Sequence, residues 1–222
     1  MIYQFKSTKI FIGGIQGSGK THLAKSKIIP AFNHVIVYAV HPIDFQDVQH
    51  ADTKVLIPND YSMETLDKTS KTIKEMAKKG ACDLFILDEA DLFLPQDKRT
   101  LQKYTNFYDI LINHRHYNLA TVLISRRPQS LPAEAVEQCE FLFVFAIEGA
   151  NVFERLKNID KRYTELLPLL SKDRHNFIFK RIGSPPELFS DAKIINSPLD
   201  NTESIEVKGG NEKKNGNSGF IR

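Results

Sequence analysis

The sequence predicts an α/β domain built on a mainly parallel sheet with helices on both faces. Apolar segments of strand length alternate with segments of helical pattern along the chain. The strand segments are apolar throughout, which is typical of strands that are buried on both faces. A glycine-rich loop, GGIQGSGKT, also joins the first strand segment directly to the first helical segment. This arrangement is typical of open α/β sheets that bind a ligand at one edge.

The predicted elements follow from local pattern and from residues that end helices. Pro30 stops the first helix and Gly80 stops the second. The segment VIVYAV is short and rich in β-branched residues, which favours a strand, whereas NFIFKRI alternates more and favours an edge strand. The predicted strands are 9–12, 35–40, 54–57, 84–87, 120–125, 141–147 and the edge strand 176–182, and the predicted helices are 21–29, 62–79, 99–116, 132–138 and 150–158.

Length and composition predict one domain with a polar tail. Residues 1–196 form the expected folded domain. Residues 197–222 contain the stretch VKGGNEKKNGNSG, which has little apolar surface to bury, so we expect this tail to be disordered. The formal net charge of +3 is compatible with nucleic-acid binding without requiring it.

No membrane segment or signal peptide is expected. The longest apolar run, 141–147, is far shorter than the roughly 20 residues that a spanning helix needs. The first residues lead straight into the glycine loop, without the pattern of a secretory signal. Cys82 and Cys139 both adjoin apolar segments, which predicts free, buried thiols. We therefore expect a cytoplasmic protein.

The glycine-rich loop predicts a site for the phosphates of ATP. The stretch GIQGSGKT fits G-x-x-x-x-G-K-[ST] in full, with a strand before it and a helix after it. Glycines let backbone N–H groups turn toward phosphate oxygens, and the helix N-terminus adds partial positive charge. Lys20 is expected to reach the β- and γ-phosphates, and the Thr21 hydroxyl to bind Mg²⁺. The predicted nucleotide-binding residues are Gly14, Ile15, Gln16, Gly17, Ser18, Gly19, Lys20, Thr21 and His22.

The segment LFILDEAD predicts the residues that carry hydrolysis. Four apolar residues place Asp88 at the tip of a buried strand, at the edge where ligands bind in such sheets. Asp88 is expected to hold Mg²⁺ through a water molecule, and Glu89 to orient and activate the attacking water. The alternative is that the two acids cap the following segment. We interpret Asp91 as a solvated or capping residue.

A third polar cluster follows the strand ATVLIS. If this strand lies between the phosphate-loop strand and the Asp88 strand, then Ser125 or Arg126 faces the γ-phosphate and can sense its hydrolysis. The alternative is a surface pair, Arg126 and Arg127, that closes a loop before a proline.

A fourth candidate, Arg115, ends the predicted helix 99–116. An arginine at that position can be supplied to the γ-phosphate of a neighbouring subunit, or can interact only with the dipole of its own helix. The flanking His114 and His116 point apart on a helix, which argues against a metal site.

The chain resembles the HerA/FtsK superfamily of DNA-pumping ATPases in four features and in their order. These are the phosphate loop, the strand followed by Asp-Glu, the run R-H-x-x-L-x-x-x-L-x-S-R-R-P and the strand E-F-L-F-V-F. The small genome-packaging ATPases of tailless icosahedral viruses with internal membranes look most similar. The morphogenesis ATPases of filamentous phages, the zonula-occludens-toxin-like proteins, have a similar sequence pattern. The resemblance covers residues 9–156.

The resemblance implies a RecA-like P-loop NTPase core with strand order 5-1-4-3-2 and subunits that form a hexamer-like ring. It also implies ATP and Mg²⁺ as cofactors, double-stranded DNA bound without sequence preference, and contact with capsid or portal-vertex proteins in a virion. By position, Arg115 matches the arginine that precedes the sensor strand in these families. Arg126 stands where many members have a glutamine, so this chain departs from the family pattern at the sensor.

The function that these residues predict is an ATP-hydrolysing DNA translocase of the genome-packaging kind. Lys98, Arg99 and Lys103 are candidate DNA contacts, with a solvated helix face as the alternative. One rival is a morphogenesis or export ATPase of the filamentous-phage type. Another is an assembly factor that uses ATP to oligomerise on DNA or a capsid without translocation. A small-molecule kinase is a more distant rival, because an Asp-Glu pair favours water as the acceptor of the phosphoryl group.

Overall fold

The computed structural model describes residues 7–50 and 52–190, and within them the strands form a single eight-stranded sheet. Its order is β3-β2-β4-β5-β1-β6-β7-β8. In that order, neighbouring strands from β3 to β6 are parallel, whereas β7 is antiparallel to β6 and β8 is antiparallel to β7. The strands are β1 (Lys9–Gly13), β2 (Val35–Tyr38), β3 (Thr53–Leu56), β4 (Leu84–Leu87), β5 (Ala120–Ser125), β6 (Phe141–Val144), β7 (Phe177–Arg181) and β8 (Glu187–Phe189).

The expected core order is confirmed. The strands β6-β1-β5-β4-β2 are neighbours in that sequence, which is the order 5-1-4-3-2 when they are numbered along the chain. β3 extends the sheet beyond β2, and β7 and β8 extend it beyond β6. The strand predicted at 176–182 is present as β7. The prediction that it lies at the edge of the sheet was wrong, because β8 pairs with the outer side of β7.

The helices match most of the predicted segments. α1 (Lys20–Leu23) continues through a wider turn, Ala24–Ile28, and a tight turn, Ile29–Ala31. The other helices are α2 (Met63–Lys78), α3 (Lys98–Gln102), α4 (Thr105–Asn113), α5 (Ala133–Val136), α6 (Ala150–Ile159) and α7 (Tyr163–Leu166), of which α7 has no counterpart among the predicted elements.

Both ends of α2 are set by local chemistry that the sequence displays. The Ser62 hydroxyl accepts a hydrogen bond from the Thr65 N–H at 3.2 Å, which satisfies one of the free donors of the first turn. At the other end Gly80 has a φ of 71°, a left-handed conformation that glycine adopts without steric cost.

The single helix predicted at 99–116 is wrong, because the chain breaks into α3, α4 and a tight turn, His114–Tyr117. The reason is a tertiary contact. The Asp67 carboxylate, from α2, accepts hydrogen bonds from the N–H groups of Asn106 and Phe107 at 2.8 and 2.9 Å. These two groups are free donors only where a helix begins, so Asp67 stabilises a new start at α4.

The core covers both faces of the sheet, as the apolar strands predict. Along β1, Phe11 packs into the cluster that contains the helices α2 and α4, while Ile10 and Ile12 pack into the cluster on the α1 side. Alternate residues of a strand point to opposite faces. The apolar residues 10–12 of β1 therefore join the two layers, and this fixes the position of the loop that follows the strand.

Cys82 and Cys139 are free and buried, as predicted. Burial raises the pKa of both thiols to about 12. In the part of the chain that the structure describes, no helix is long and apolar enough to cross a membrane. The predicted tail, 197–222, lies outside the described residues.

Candidate functional site

The phosphate loop leaves the carboxyl end of β1 and is anchored by neighbours on both sides. The Gly14 N–H donates to the Ser125 carbonyl at 3.1 Å, and the Ile15 N–H donates to the Ala146 carbonyl at 2.8 Å. A Cβ on Gly14 would lie only 2.7 Å from the Cβ of Phe145, so glycine is required for this close approach. The loop is thereby held between the tips of β5 and β6.

Most of the predicted nucleotide-binding residues line one cleft of about 550 Å³ at this edge. Gly14, Ile15 and Ser18 lie behind the cleft as part of the anchored loop, and Ser18 is 1% exposed. The predicted residues that line the cleft are Gln16, Gly17, Gly19, Lys20, Thr21, His22, Asp88, Glu89, Ser125 and Arg126.

Lys20 is positioned at the floor of this cleft. Its ammonium donates to the Ile15 carbonyl at 2.9 Å, so the side chain curls back over the loop. Burial lowers the pKa of Lys20 to about 8, although the Asp88 carboxylate opposes this shift. A phosphate anion in the cleft would favour the charged ammonium, because an opposite charge raises the pKa of a lysine.

The two acids of LFILDEAD reach the cleft from the tip of β4. Asp88 is 4% exposed, and burial together with the neighbouring Glu89 carboxylate raises the pKa of Asp88 to about 6. Glu89 has a φ of 50°, which is uncommon for a residue with a side chain. Such backbone strain is concentrated at functional sites, where surrounding contacts maintain it.

Arg126 and Glu89 form an ion pair inside the cleft, in which the Arg126 guanidinium donates to Glu89 Oε1. The predicted sensor role requires the strand before Ser125 and Arg126 to lie between the phosphate-loop strand and the Asp88 strand. It does, because β5 lies between β1 and β4. Arg126 therefore holds the carboxylate that the sequence predicts to activate water. His41, which follows β2, lies 3.9 Å from the second oxygen of Glu89.

The Ser125 hydroxyl is engaged elsewhere. It donates to Asp91 Oδ1 at 2.8 Å and accepts from the Arg127 N–H at 3.0 Å. The same Asp91 oxygen accepts from the Arg126 N–H at 3.2 Å. Our interpretation of Asp91 as a solvated or capping residue was wrong, since this carboxylate fixes the tip of β5 and so aims Arg126 at Glu89.

Thr21 and Asp88 fit a magnesium ion by their chemistry and placement. Both line the cleft, and both offer oxygen atoms, the ligands that Mg²⁺ prefers. A buried carboxylate whose pKa is raised by burial is also a group that a divalent cation would stabilise.

Replacing Asp88 with Asn should stabilise the protein at pH 8 in the absence of magnesium and nucleotide. The folded pKa of Asp88, about 6, lies above its unfolded value, so the folded state binds the proton more tightly. The stability that the protonated carboxyl contributes is therefore complete below about pH 4 and is lost as pH rises through 6, whereas Asn stays neutral. The shift corresponds to about 2–3 kcal/mol at pH 8. Urea unfolding at pH 8 and pH 4.5, with EDTA, measures it.

The matched control for this experiment is Asp173→Asn, which neutralises an exposed acid. Its free energy of unfolding should follow that of the unmodified protein at both pH values. A stabilisation of Asp88→Asn that is equal at both pH values, or absent at pH 8, would contradict the assignment of a strained, buried carboxylate.

Arg115 lies away from the cleft. Its Nη2 donates to Glu140 Oε1 at 2.5 Å, and the Lys9 N–H donates to the other oxygen of Glu140 at 2.6 Å. Glu140 precedes β6 and Lys9 begins β1, so Arg115 lies at the amino edge of the sheet, across the length of β1 from the phosphate loop. The Arg115 side chain is 70% exposed despite this ion pair.

Several cleft residues were missed by the sequence reasoning. His41 and Asp44 come from the tight turn after β2, and Lys25 from the wider turn that continues α1. The rule that ligands bind at the carboxyl ends of parallel strands could have identified the β2 turn. His175 precedes β7, and local sequence carries no signal for it until β7 is known to run antiparallel.

A phosphate loop after the first strand, with an acid pair at the tip of a nearby parallel strand, defines a P-loop NTPase. Residues 8–164 match the model of one protein family, Zonular occludens toxin (Zot). Because this match spans more than half of the chain, the protein belongs to the Zot family. No curated protein sequence matches the chain.

Solved structures share this fold at low sequence identity. B204, the DNA-packaging ATPase from Sulfolobus Turreted Icosahedral Virus, is 16% identical with a TM-score of 0.70, over 82% of this chain and 97% of that one. The genome packaging NTPase B204 from Sulfolobus turreted icosahedral virus 2, in complex with AMPPCP, is 17% identical with a TM-score of 0.66, over 82% and 96%. The N-terminal domain of zonular occludens toxin from Neisseria meningitidis is 12% identical with a TM-score of 0.51, over 85% and 97%.

These matches confirm the RecA-like P-loop NTPase fold that the sequence resemblance implied. The family match selects the zonula-occludens-toxin-like proteins, one of the two groups that the resemblance named. The structural similarity extends to the other group, the packaging ATPases.

Proposed function

We propose that this protein is a magnesium-dependent ATPase that moves double-stranded DNA as one subunit of a genome-packaging ring. The observation that carries the hydrolytic part is the convergence of Lys20, Asp88, Glu89 and Arg126 in one cleft at the carboxyl edge of the sheet. The DNA-moving part is supported by the shared fold of the two viral packaging enzymes and by the segment from Arg115 to Pro128.

In this proposal the phosphate loop and Lys20 hold the β- and γ-phosphates, and Glu89 accepts a proton from the attacking water. Thr21 and Asp88 hold Mg²⁺, which when bound neutralises charge on the phosphates. The Arg126 ion pair must open before Glu89 can act as a base. A γ-phosphate offers Arg126 a stronger partner, so nucleotide binding would itself release Glu89.

Arg115 can contribute to hydrolysis only on a neighbouring subunit, because it lies at the opposite edge of the sheet from its own cleft. Its exposure suits a role at a subunit edge, and Glu140 would hold the guanidinium ready for it. An arginine supplied in this way stabilises the charge of the transition state. Lys98, a candidate DNA contact, is paired with Glu134 at 2.5 Å, which favours Arg99 and Lys103 for that role.

Mixing Arg115→Ala subunits with Glu89→Gln subunits should restore ATP hydrolysis that neither variant shows alone. A subunit with intact Glu89 then meets a neighbour with intact Arg115, and that interface is complete. The control is Arg162→Ala, which removes an exposed arginine at another position and should leave ATP hydrolysis unchanged. No recovery in mixtures that assemble normally would contradict action in trans.

The decisive experiment is ATP hydrolysis with and without duplex DNA at several salt concentrations. Translocation predicts stimulation by DNA that fades as salt rises, because contacts to the phosphate backbone release counterions. Hydrolysis that is indifferent to DNA would contradict translocation.

A second candidate function is a morphogenesis or export ATPase, and one observation favours it: the family match is to Zot. In that case hydrolysis would respond to a protein partner instead of DNA. A third outcome, slow turnover together with ATP-dependent oligomerisation on DNA or capsids, would indicate an assembly factor that does not translocate.

A further inference from the structure

A loop near the end of the described chain packs onto the phosphate loop. Residues 171–176, here called the 171–176 loop, connect the turn after α7 to β7. The buried Asn176 closes this loop, because its Oδ1 accepts from the Ser171 N–H and its Nδ2 donates to the Leu169 carbonyl, both at 2.8 Å. These two bonds give the 171–176 loop a defined shape.

Two side chains of the 171–176 loop lie over the glycines of the phosphate loop, in the space that a side chain there would use. A Cβ on Gly17 would lie 3.0 Å from Cε and 3.5 Å from Nζ of Lys172. A Cβ on Gly19 would lie 3.7 Å from the Cβ of His175, and His175 lines the cleft. Gly17 has a φ of 73°, so the absence of a side chain serves both its backbone conformation and the approach of Lys172.

The Lys172 ammonium is also uncommitted. Across residues 7–50 and 52–190, no hydrogen bond or ion pair engages the side chain of Lys172 or of His175. Lys25, which lines the same cleft, is instead neutralised by Asp47 at 2.6 Å. A lysine with a free ammonium beside a phosphate loop is suited to bind an anion there.

The sheet order decides which part of a nucleotide Lys172 would meet. Glu89 and Arg126 follow β4 and β5, on one side of β1, whereas the 171–176 loop precedes β7, on the other side. A triphosphate that lies across this edge with its γ-phosphate toward Glu89 has its α-phosphate and nucleoside toward Lys172 and His175.

We propose that the 171–176 loop forms the nucleoside side of the nucleotide site, with the Lys172 ammonium on the α-phosphate and the His175 ring against the nucleoside. The β- and γ-phosphates are left to Lys20 and the loop amides. This inference rests on the proposed function, because it takes a nucleoside triphosphate as the ligand of the phosphate loop.

The test is the affinity of the full chain for a non-hydrolysable ATP analogue, ADP and inorganic pyrophosphate. Lys172→Ala should weaken the analogue and ADP about tenfold, the worth of one charge-assisted contact, and should leave pyrophosphate unchanged. Lys172→Arg should restore most of the loss. His175→Asn should weaken the nucleotides, again without effect on pyrophosphate, since Asn tolerates the φ of 47° found there.

Lys71→Ala removes an exposed lysine from α2 and should bind all three ligands as the unmodified protein does. Thermal unfolding without ligand checks that each variant is folded. Equal affinities of Lys172→Ala and Lys71→Ala would overturn the inference, and so would an equal loss for pyrophosphate. If the unmodified chain binds no ATP analogue, or binds it no more tightly than Lys20→Ala does, the proposed function fails as well. A failure of the inference alone is therefore distinguishable from a failure of the proposed function.

Discussion

Glu89→Gln should bind ATP with nearly unchanged affinity and hydrolyse it about 10²- to 10⁴-fold more slowly, the usual contribution of a general base. Gln keeps the size of the side chain and can still accept a hydrogen bond from Arg126, but it cannot take a proton from water. The measurement pairs the steady-state rate of phosphate release with equilibrium binding of ATP.

The matched control for this variant is Glu165→Gln, the same change at an exposed glutamate of α7. It should be fully active. A Glu89→Gln variant with full hydrolytic activity would contradict the role of Glu89 as the base. The two acids would then serve only as caps of the segment after β4, the alternative that the sequence left open.

Lys20→Ala should lose both nucleotide binding and hydrolysis. Removing the ammonium from the floor of the cleft deletes its charge-assisted contacts with phosphate, which lowers affinity by about 10- to 100-fold. It also removes positive charge where negative charge develops in the transition state, which lowers the hydrolysis rate by about 10³-fold. Binding and phosphate release measured on one preparation separate the two effects.

The pH dependence gives this variant a second readout. Because the pKa of Lys20 is about 8 before nucleotide binds, ATP binding above pH 8 must take up a proton. The affinity of the unmodified protein should therefore fall as pH rises above 8, and Lys20→Ala should not show that fall. Lys71→Ala is the control, and full hydrolysis by Lys20→Ala would refute the assignment of the phosphate site.

Local sequence was sufficient where function depends on consecutive residues. The phosphate loop, the strand before it and the acid pair after LFIL were predicted because each is a continuous stretch with its own backbone and burial requirements. The end of α2 at Gly80 was predicted for the same reason, since a helix-ending glycine acts within a few residues of itself. The core strand order came from resemblance to known families, and local pattern by itself did not provide it.

Contacts between distant segments were decided by the tertiary structure. Asp67 splits the predicted helix 99–116 by bonding residues about forty positions further along the chain. Asp91 reaches Ser125 from another strand tip, and this contact aims Arg126 at Glu89. Neither carboxylate is marked by its neighbours in sequence, because hydrophobic periodicity reports which face is buried and says nothing about which polar groups meet.

By itself, then, the sequence determined the class of site and the edge of the sheet where it lies, because a phosphate loop needs glycines, a lysine and a helix start in one uninterrupted run. Only the tertiary structure placed Arg115 at the far edge of the sheet and brought Lys172 and His175 beside the phosphate loop. The physical reason is that β7 is antiparallel to β6 and therefore begins at the carboxyl edge, which places the residues before it beside the phosphate loop; strand direction is set by packing between segments far apart in sequence.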